Sequence, residues 1–141
     1  MAYNVLIVDD SSSIRSAVKK VIEISGFDVG KYFEAANGKD ALSVLEENWA
    51  DVILTDIHMP VMDGISFFKE VSKDPLLSSI PVIFVTTEGR EEGIEESFKM
   101  GAKGYIKKPF KPEEIRRILV EVLGEPDGTR EDTPSLEGSD F

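Results

Sequence analysis

Residues 52–56 read Val-Ile-Leu-Thr-Asp, a short apolar run that ends abruptly in a carboxylate. The same arrangement occurs near the N-terminus, where residues 5–8 (Val-Leu-Ile-Val) are followed by Asp9 and Asp10. Runs of this length, rich in β-branched residues, predict β-strands. Because the apolar residues are continuous and do not alternate with polar ones, both strands are expected to be buried on two faces. The pattern is typical of a mostly parallel sheet between two layers of helices.

Amphipathic stretches separate the apolar runs, so the chain is predicted to alternate strands with helices. In the predicted helix at 91–100, Ile94 and Phe98 are expected to point inward. The predicted strands are residues 5–8, 28–35, 52–55, 81–86 and 104–106. Five helices are predicted, the first capped by Ser11–Ser13 and closed by Gly26, the others opening at Asn37, Asp63, Glu91 and Pro112.

The composition of the 141 residues suits one α/β domain and narrows the chemistry. There is no cysteine, which excludes disulfides, thiolate metal sites and cysteine nucleophiles. His58 is the single histidine, so a bound cation would need oxygen ligands. No apolar run approaches the roughly 20 residues that span a bilayer, and the N-terminus lacks the features of a signal peptide. A cytoplasmic protein without membrane insertion is expected.

The net charge is −11, which argues against direct binding to nucleic acid because its phosphates would be repelled. A basic protein partner would fit this charge, although solubility alone also explains it. The composition changes after Gly124. Residues 1–124 are therefore predicted to form the domain, and residues 125–141 an acidic, disordered tail. A linker to a further domain and a docking motif ending in Phe141 stay open as alternatives.

Polar residues follow the predicted strands at the point where each strand ends. In an open parallel sheet, the loops beyond the carboxyl ends of the strands line one crevice. Repulsion between clustered carboxylates is relieved by a hard divalent cation, and Mg²⁺ is the natural occupant. With a hydroxyl and an ammonium nearby, such a site is suited to hold a phosphoryl group on a carboxylate. The residues that should converge are Asp9, Asp10, Asp56, Thr86 and Lys108.

Four motifs in order resemble the response-regulator receiver domain of the CheY type. They are residues 5–10 (VLIVDD), 52–64 (VILTDIHMPVMDG), 82–88 (VIFVTTE) and 104–110 (GYIKKPF). The resemblance covers residues 3–123. It implies a flavodoxin-like, doubly wound fold with five parallel strands in the order 2-1-3-4-5 and five flanking helices.

The resemblance also implies a role in two-component, chemotaxis-like signalling. Asp56 would accept a phosphoryl group from the phosphohistidine of a sensor kinase or of a phosphotransfer protein. Asp10 would bind Mg²⁺ directly and Asp9 mostly through water, with Asp56 and the backbone carbonyl of His58 as the remaining protein ligands. The protein would be a phosphoacceptor that promotes its own phosphorylation and slow dephosphorylation, and not an enzyme in the usual sense.

Further roles are implied for residues around the phosphoacceptor. Thr86 and Lys108 would contact the phosphoryl group, Lys108 being preferred to Lys107 because a proline follows it, with a cis peptide bond in the family. Tyr105 matches the aromatic switch residue that alters a protein-binding surface at residues 89–123. His58 and Thr87 occupy positions that modulate the lifetime of the phosphorylated state.

Other interpretations of the same residues stay open. An aspartate-nucleophile phosphatase needs a second aspartate where His58 stands, and a flavin carrier would replace the Asp9-Asp10 pair by a phosphate-binding loop. No GxxxxGK[ST] run supports a nucleotide-hydrolysing loop. A receiver cut from a longer DNA-binding regulator is a further alternative. Individually, the two acids can act as helix caps, Thr86 and Tyr105 as packing residues, and His58 as a surface residue.

Overall fold

The computed structural model describes residues 2–86, 95, 98, 99 and 101–125. Most of the predicted helix at 91–100 lies outside these residues, but Glu95, Phe98 and Lys99 are described and are helical. Within the described residues the elements are β1 (Tyr3–Val8), α1 (Ser12–Ser25), β2 (Val29–Ala35), α2 (Gly38–Glu47), β3 (Val52–Thr55), α3 (Gly64–Lys73), β4 (Val82–Thr86), β5 (Gly104–Lys107) and α4 (Pro112–Leu123).

The five strands form one parallel sheet in the order β2-β1-β3-β4-β5, which confirms the predicted fold class and strand order. Val8 lies beside Thr55 in the register of β1 and β3. Thr86 lies beside Lys107 in the register of β4 and β5. The strands therefore end together, and the residues that follow them meet at one edge of the sheet.

Two apolar layers cover the sheet because successive residues of a strand point to opposite faces. Leu6 and Phe67 belong to the layer on one face, beneath α2 and α3. Ile7 and Leu119 belong to the other layer, beneath α1 and α4. All residues of β3 and β4 are buried, as their continuous apolar sequences predict. None of the helices in the described part of the chain is long and apolar enough to span a bilayer.

The helix starts lie where the capping residues predict them. Ser11 Oγ accepts a hydrogen bond from the backbone N–H of Ile14 at 3.2 Å, and Gly26 ends α1 with a left-handed φ of 82°. Asn37 and Asp63 cap α2 and α3 in the same way. A side-chain cap of this kind contributes about 1 kcal/mol to stability. Both α2 and α3 therefore begin at the edge where the strands end.

Val61, in the loop between β3 and α3, has a positive φ of 70° and a side chain that is 76% exposed. A β-branched residue is strained in this region, and glycine is not. We expect Val61→Gly to raise the free energy of unfolding by about 0.5–1 kcal/mol. This value is the relief of backbone strain less the opposing effect of glycine, which gives the unfolded chain more conformational entropy. Urea unfolding measures the change. Val61→Ala keeps the Cβ atom, so an equal gain in that variant would contradict the argument.

Candidate functional site

Three carboxylates lie together at the edge of the sheet where the strands end. One oxygen of each of Asp9, Asp10 and Asp56 lies within 4.8 Å of the other two. Asp9 is only 5% exposed, Asp56 is half-buried and Asp10 is exposed. The structure thus brings together the three acids that follow β1 and β3. Of the described residues, these three form the group of acidic side chains best placed to hold a cation.

The backbone around Asp56 fixes its position. Its N–H donates to the carbonyl of Val8 at 2.9 Å, and its Oδ1 accepts from the N–H of Ile57 at 2.8 Å. Gly64 packs directly against this segment, because a Cβ atom there would lie 2.0 Å from the carbonyl oxygen of Asp56. Only glycine leaves room for so close an approach of two backbone segments. The glycine at the start of α3 therefore helps to place the carboxylate that ends β3.

Asp9 is held by contacts that the sequence did not reveal. Its Oδ1 accepts from the N–H of Ser11 at 2.9 Å, and its carbonyl oxygen accepts from Arg15 Nη1 at 2.6 Å. Arg15 Nε also donates to Glu34 at 2.8 Å. Hydrogen bonds from Lys19 and then Arg15 lower the pKa of Glu34. Arg15 thus joins the end of β1 to β2, an outermost strand of the sheet. This contact depends on the pairing of β1 with β2, which the local sequence does not show.

Lys108, and not its neighbour, supplies positive charge to the site. Its Nζ lies 3.2 Å from Asp9 Oδ2 and 3.9 Å from Asp56 Oδ2, whereas Lys107 is exposed. The N–H of Lys108 donates to the carbonyl of Thr86 at 2.7 Å, and the Lys108–Pro109 peptide bond is cis. The ammonium group is therefore shared between two of the three carboxylates and lies closer to the buried one.

The remaining predicted site residues lie at different depths. Thr86 is the last residue of β4 and is 1% exposed, while His58 is exposed.

Tyr105 is partly buried, and its ring makes an edge contact with Phe98 at 6.3 Å between centroids. Phe98 is 39% exposed, so it is less buried than an inward position predicts, although its ring lies against the partly buried ring of Tyr105 on β5. Thr87 and Ile94 lie outside the described residues.

Burial is the largest influence on Asp56 and raises the pKa of its carboxyl group. The charges of Asp9 and Asp10 raise this pKa further, against the lowering effects of the Ile57 N–H and of Lys108. Ionisation of the Asp56 carboxyl group in these surroundings therefore costs free energy. Any cationic or electrophilic group that approaches the three acids is therefore favoured by the site.

This cost has a consequence for stability. A carboxyl pKa that is raised by folding adds stability below the unfolded value of about 3.9, and this stability is lost as the pH rises through the folded pKa. We expect Asp56→Asn to be more stable than the wild type near neutral pH, by about 1 kcal/mol, a common size for one substitution. Urea unfolding over a pH series without divalent cations should show the difference vanish in acid. A constant difference would contradict the assignment to Asp56 ionisation.

The donor set at this edge fits a hard divalent cation. All three candidate ligand atoms are carboxylate oxygens, the type that Mg²⁺ prefers, and no thiolate exists in the chain. A magnesium ion also keeps several waters and phosphate oxygens as ligands, so it needs only a few groups from the protein. Asp10, which is exposed, and Asp56, which is half-buried, are reachable from solvent.

Comparison with known proteins gives one consistent result. Residues 5–120 match the family described as "Response regulator receiver domain". Chemotaxis protein CheY1 of Helicobacter pylori is 38% identical over 121 residues, which are 84% of this chain and 95% of that protein. CheY4 of Vibrio cholerae has a similar structure, with 37% identity, a TM-score of 0.74 and coverage of 87% of this chain and 100% of that one.

A second solved structure bears on the acidic site. The receiver domain of the sensor histidine kinase PA1611 of Pseudomonas aeruginosa is 26% identical, with a TM-score of 0.75 over 88% of this chain and 99% of that one. Its structure is described as having a magnesium ion coordinated in the active site cleft.

Proposed function

This chain belongs to the response regulator receiver domain family, and from that membership we propose that Asp56 is its phosphoacceptor. The observation that carries the proposal is the meeting of Asp9, Asp10 and Asp56 within 4.8 Å, with Lys108 beside two of them. The protein then works as a two-component signalling switch. A phosphatase reaction on a separate substrate is not needed to explain these residues.

Mg²⁺ is proposed to be held by Asp10 and Asp56 directly, by Asp9 mostly through water, and by the carbonyl of His58. Bound there, the ion neutralises negative charge on the oxygens of the phosphoryl group. The fit rests on the oxygen donors described above and on the magnesium reported for the PA1611 receiver domain.

The chain's own residues then have distinct tasks. An oxygen of the Asp56 carboxylate attacks phosphorus in line, and the phosphorus–nitrogen bond of a phosphohistidine breaks as the new acyl phosphate bond forms. The departing imidazole keeps the electron pair of that bond and, with its other ring nitrogen protonated, leaves as a neutral histidine. Lys108 offers its ammonium group to the transferred phosphoryl oxygens, and Thr86 its hydroxyl. Attack by water on the same phosphorus later releases phosphate and restores the carboxylate.

We propose Tyr105 as the residue that transmits this change to a partner. The edge contact between its partly buried ring and the exposed ring of Phe98 supports this role, since it joins Tyr105 to a side chain that a protein partner can reach. The proposed output surface comprises residues 89–123 and would favour one of two pre-existing arrangements after phosphorylation. His58 and Thr87 are proposed to tune the lifetime of the acyl phosphate.

The donor and the setting complete the proposal. A sensor histidine kinase or a phosphotransfer protein supplies the phosphoryl group, and a downstream protein, not nucleic acid, reads the output surface. Residues 1–124 form the receiver domain, and residues 125–141 an acidic tail outside it, with the whole acting in the cytoplasm. If a downstream protein bound the phosphorylated and the unphosphorylated chain equally tightly, the switching role would be contradicted.

The central claim is tested by incubating the full chain with Mg²⁺ and a small acyl-phosphate donor, followed by intact mass measurement. We expect one added phosphoryl group, its loss on treatment with hydroxylamine, and no adduct when EDTA replaces the metal. Asp56→Asn should form no adduct. Asp28→Asn, an exposed acid outside the site, is the matched control and should behave as the wild type. An adduct on Asp56→Asn, or none on the wild type, would overturn the proposal.

A further inference from the structure

A groove between the carboxyl-terminal ends of α2 and α3 lies away from the acidic site. It is open to solvent and has a volume of about 990 Å³. Both helices begin at the edge where the strands end, so the groove lies at the opposite edge, where the strands begin. Trp49, just after α2, is bound to that edge because its carbonyl oxygen accepts from Asn4 Nδ2, in β1, at 3.3 Å.

The groove exposes apolar surface on both sides. Trp49 follows α2 and is 52% exposed, and Leu76 follows α3 and is 78% exposed. Leu42 and Leu77 extend the apolar lining between them. Exposed apolar surface that is concentrated in one place marks an interaction site more often than scattered residues do. Tryptophan is also among the residues that contribute most to binding energy at protein interfaces.

The indole of Trp49 is held in place without a partner. Its Nε1 donates to Asp51 Oδ1 at 3.3 Å. Asp51 is fixed in turn, because its Oδ2 accepts from the N–H of Asn4 at 2.8 Å and its own N–H donates to the carbonyl of Asn4 at 2.8 Å. A side chain that is ordered before binding loses less conformational entropy when the complex forms. The arrangement therefore favours binding through Trp49.

Charge indicates what kind of partner fits. Four carboxylates and one ammonium group line the groove, and that ammonium, on Lys73, lies 3.5 Å from Glu70. A second copy of a chain with a net charge of −11 would be repelled. Residues 126–141, with five acids and one arginine, would be repelled as well. The lining carboxylates belong to Glu46, Glu47, Glu70 and Asp74.

We propose that this groove, lined by Trp49 and Leu76, binds a protein segment that presents large apolar side chains flanked by lysine or arginine. One face of a basic amphipathic helix has this chemistry. The apolar residues cover Trp49 and Leu76, and the basic ones meet the acidic rim. Since the groove and the phosphoacceptor lie at opposite edges of the sheet, this binding does not depend on the function proposed for Asp56.

The test uses the fluorescence of Trp49, which is the single tryptophan of the full chain. The probe is a synthetic amphipathic helix of about four turns, with leucines on one face and lysines on the other. We expect a saturable shift of the emission to shorter wavelength as the indole loses contact with water. A scrambled peptide of the same composition, and one with glutamate in place of lysine, should bind at least about tenfold more weakly.

Variants of the groove separate specific docking from general attraction. Leu76→Ser and the double variant Glu47→Lys/Glu70→Lys should each weaken binding about tenfold. Glu113→Lys/Glu121→Lys makes the same charge change on α4, across the sheet, and should change the affinity less than about twofold. Thermal melting verifies that each variant is folded.

Four outcomes would overturn the proposal. They are the absence of a shift, equal binding of the scrambled peptide, unchanged affinity in Leu76→Ser, and protection of Trp49 before any peptide is added. In the last case, dimerisation in sedimentation experiments would identify a second copy as the occupant. If deletion of residues 126–141 increased the exposure of Trp49, the chain's own C-terminal segment would be identified as the occupant.

Discussion

Gly64→Ala is expected to lower the free energy of unfolding by on the order of 3 kcal/mol, the upper range for overpacking in a rigid surrounding. The added Cβ atom would lie 2.0 Å from the carbonyl oxygen of Asp56 and 3.0 Å from the Cα atom of Ile57. Both neighbours are backbone atoms at the end of a central strand, so neither can move aside by rotation of a side chain. Urea unfolding of the two proteins measures the loss.

The same substitution at Gly26 is the matched control. Gly26 has a φ of 82° and no atom within 4 Å of an added Cβ, so its alanine variant should lose only about 1 kcal/mol through backbone strain. Gly64→Ala should in addition reduce formation of the acyl phosphate, since relief of the clash displaces Asp56, whereas Gly26→Ala should not. Equal destabilisation by the two variants would show that the loop around Gly64 yields easily.

The large features of the fold could be predicted because they depend on local patterns. Continuous apolar runs identified β3 and β4 as buried strands, and the helix starts followed from capping residues such as Ser11 and Asn37. Strand order could not be obtained in this way, because the alternation of strands and helices is compatible with several orders. It came from the four family motifs, and the structure confirms it.

The acids of the candidate site were predictable for a related reason. The pair Asp9-Asp10 follows one apolar run and Asp56 ends another, and the ends of parallel strands share one edge. Contacts between distant elements were not predictable from local patterns. Arg15 binds the carbonyl of Asp9 and also Glu34 on β2, and nothing in the residues around Arg15 identifies these partners.

Side-chain exposure was predicted least well where the helical period was the only guide. Phe98 was assigned to the inner face of its helix, yet it is 39% exposed and only its contact with the partly buried Tyr105 joins it to the sheet among the contacts described. The groove beside Trp49 was missed because it depends on two helix ends that are distant in sequence. In both cases, the exposure of a side chain depends on tertiary packing that the local sequence does not show.

Lys108→Met is expected to change two properties of the acidic site in opposite directions. The ammonium group of Lys108 lies 3.2 Å from Asp9 and 3.9 Å from Asp56 and is 13% exposed. Its removal takes away the charge that would stabilise the transferred phosphoryl oxygens, so the rate of adduct formation should fall about 100-fold. It also removes a cation that competes for the same carboxylates, so Mg²⁺ should bind about tenfold more tightly.

Slower transfer together with tighter metal binding would distinguish the loss of a charge from a distorted site, because distortion should lower both the rate of transfer and the affinity for Mg²⁺. The rate is measured by intact mass over time with an acyl-phosphate donor at saturating Mg²⁺, and the affinity by calorimetric titration. Lys107→Met removes the neighbouring, exposed ammonium and is the matched control. Both properties should stay within about twofold of the wild type there, since exposed charges are screened by solvent. If Lys108→Met weakened Mg²⁺ binding, its ammonium group would be a support for the geometry of the acids, not a competitor of the metal ion.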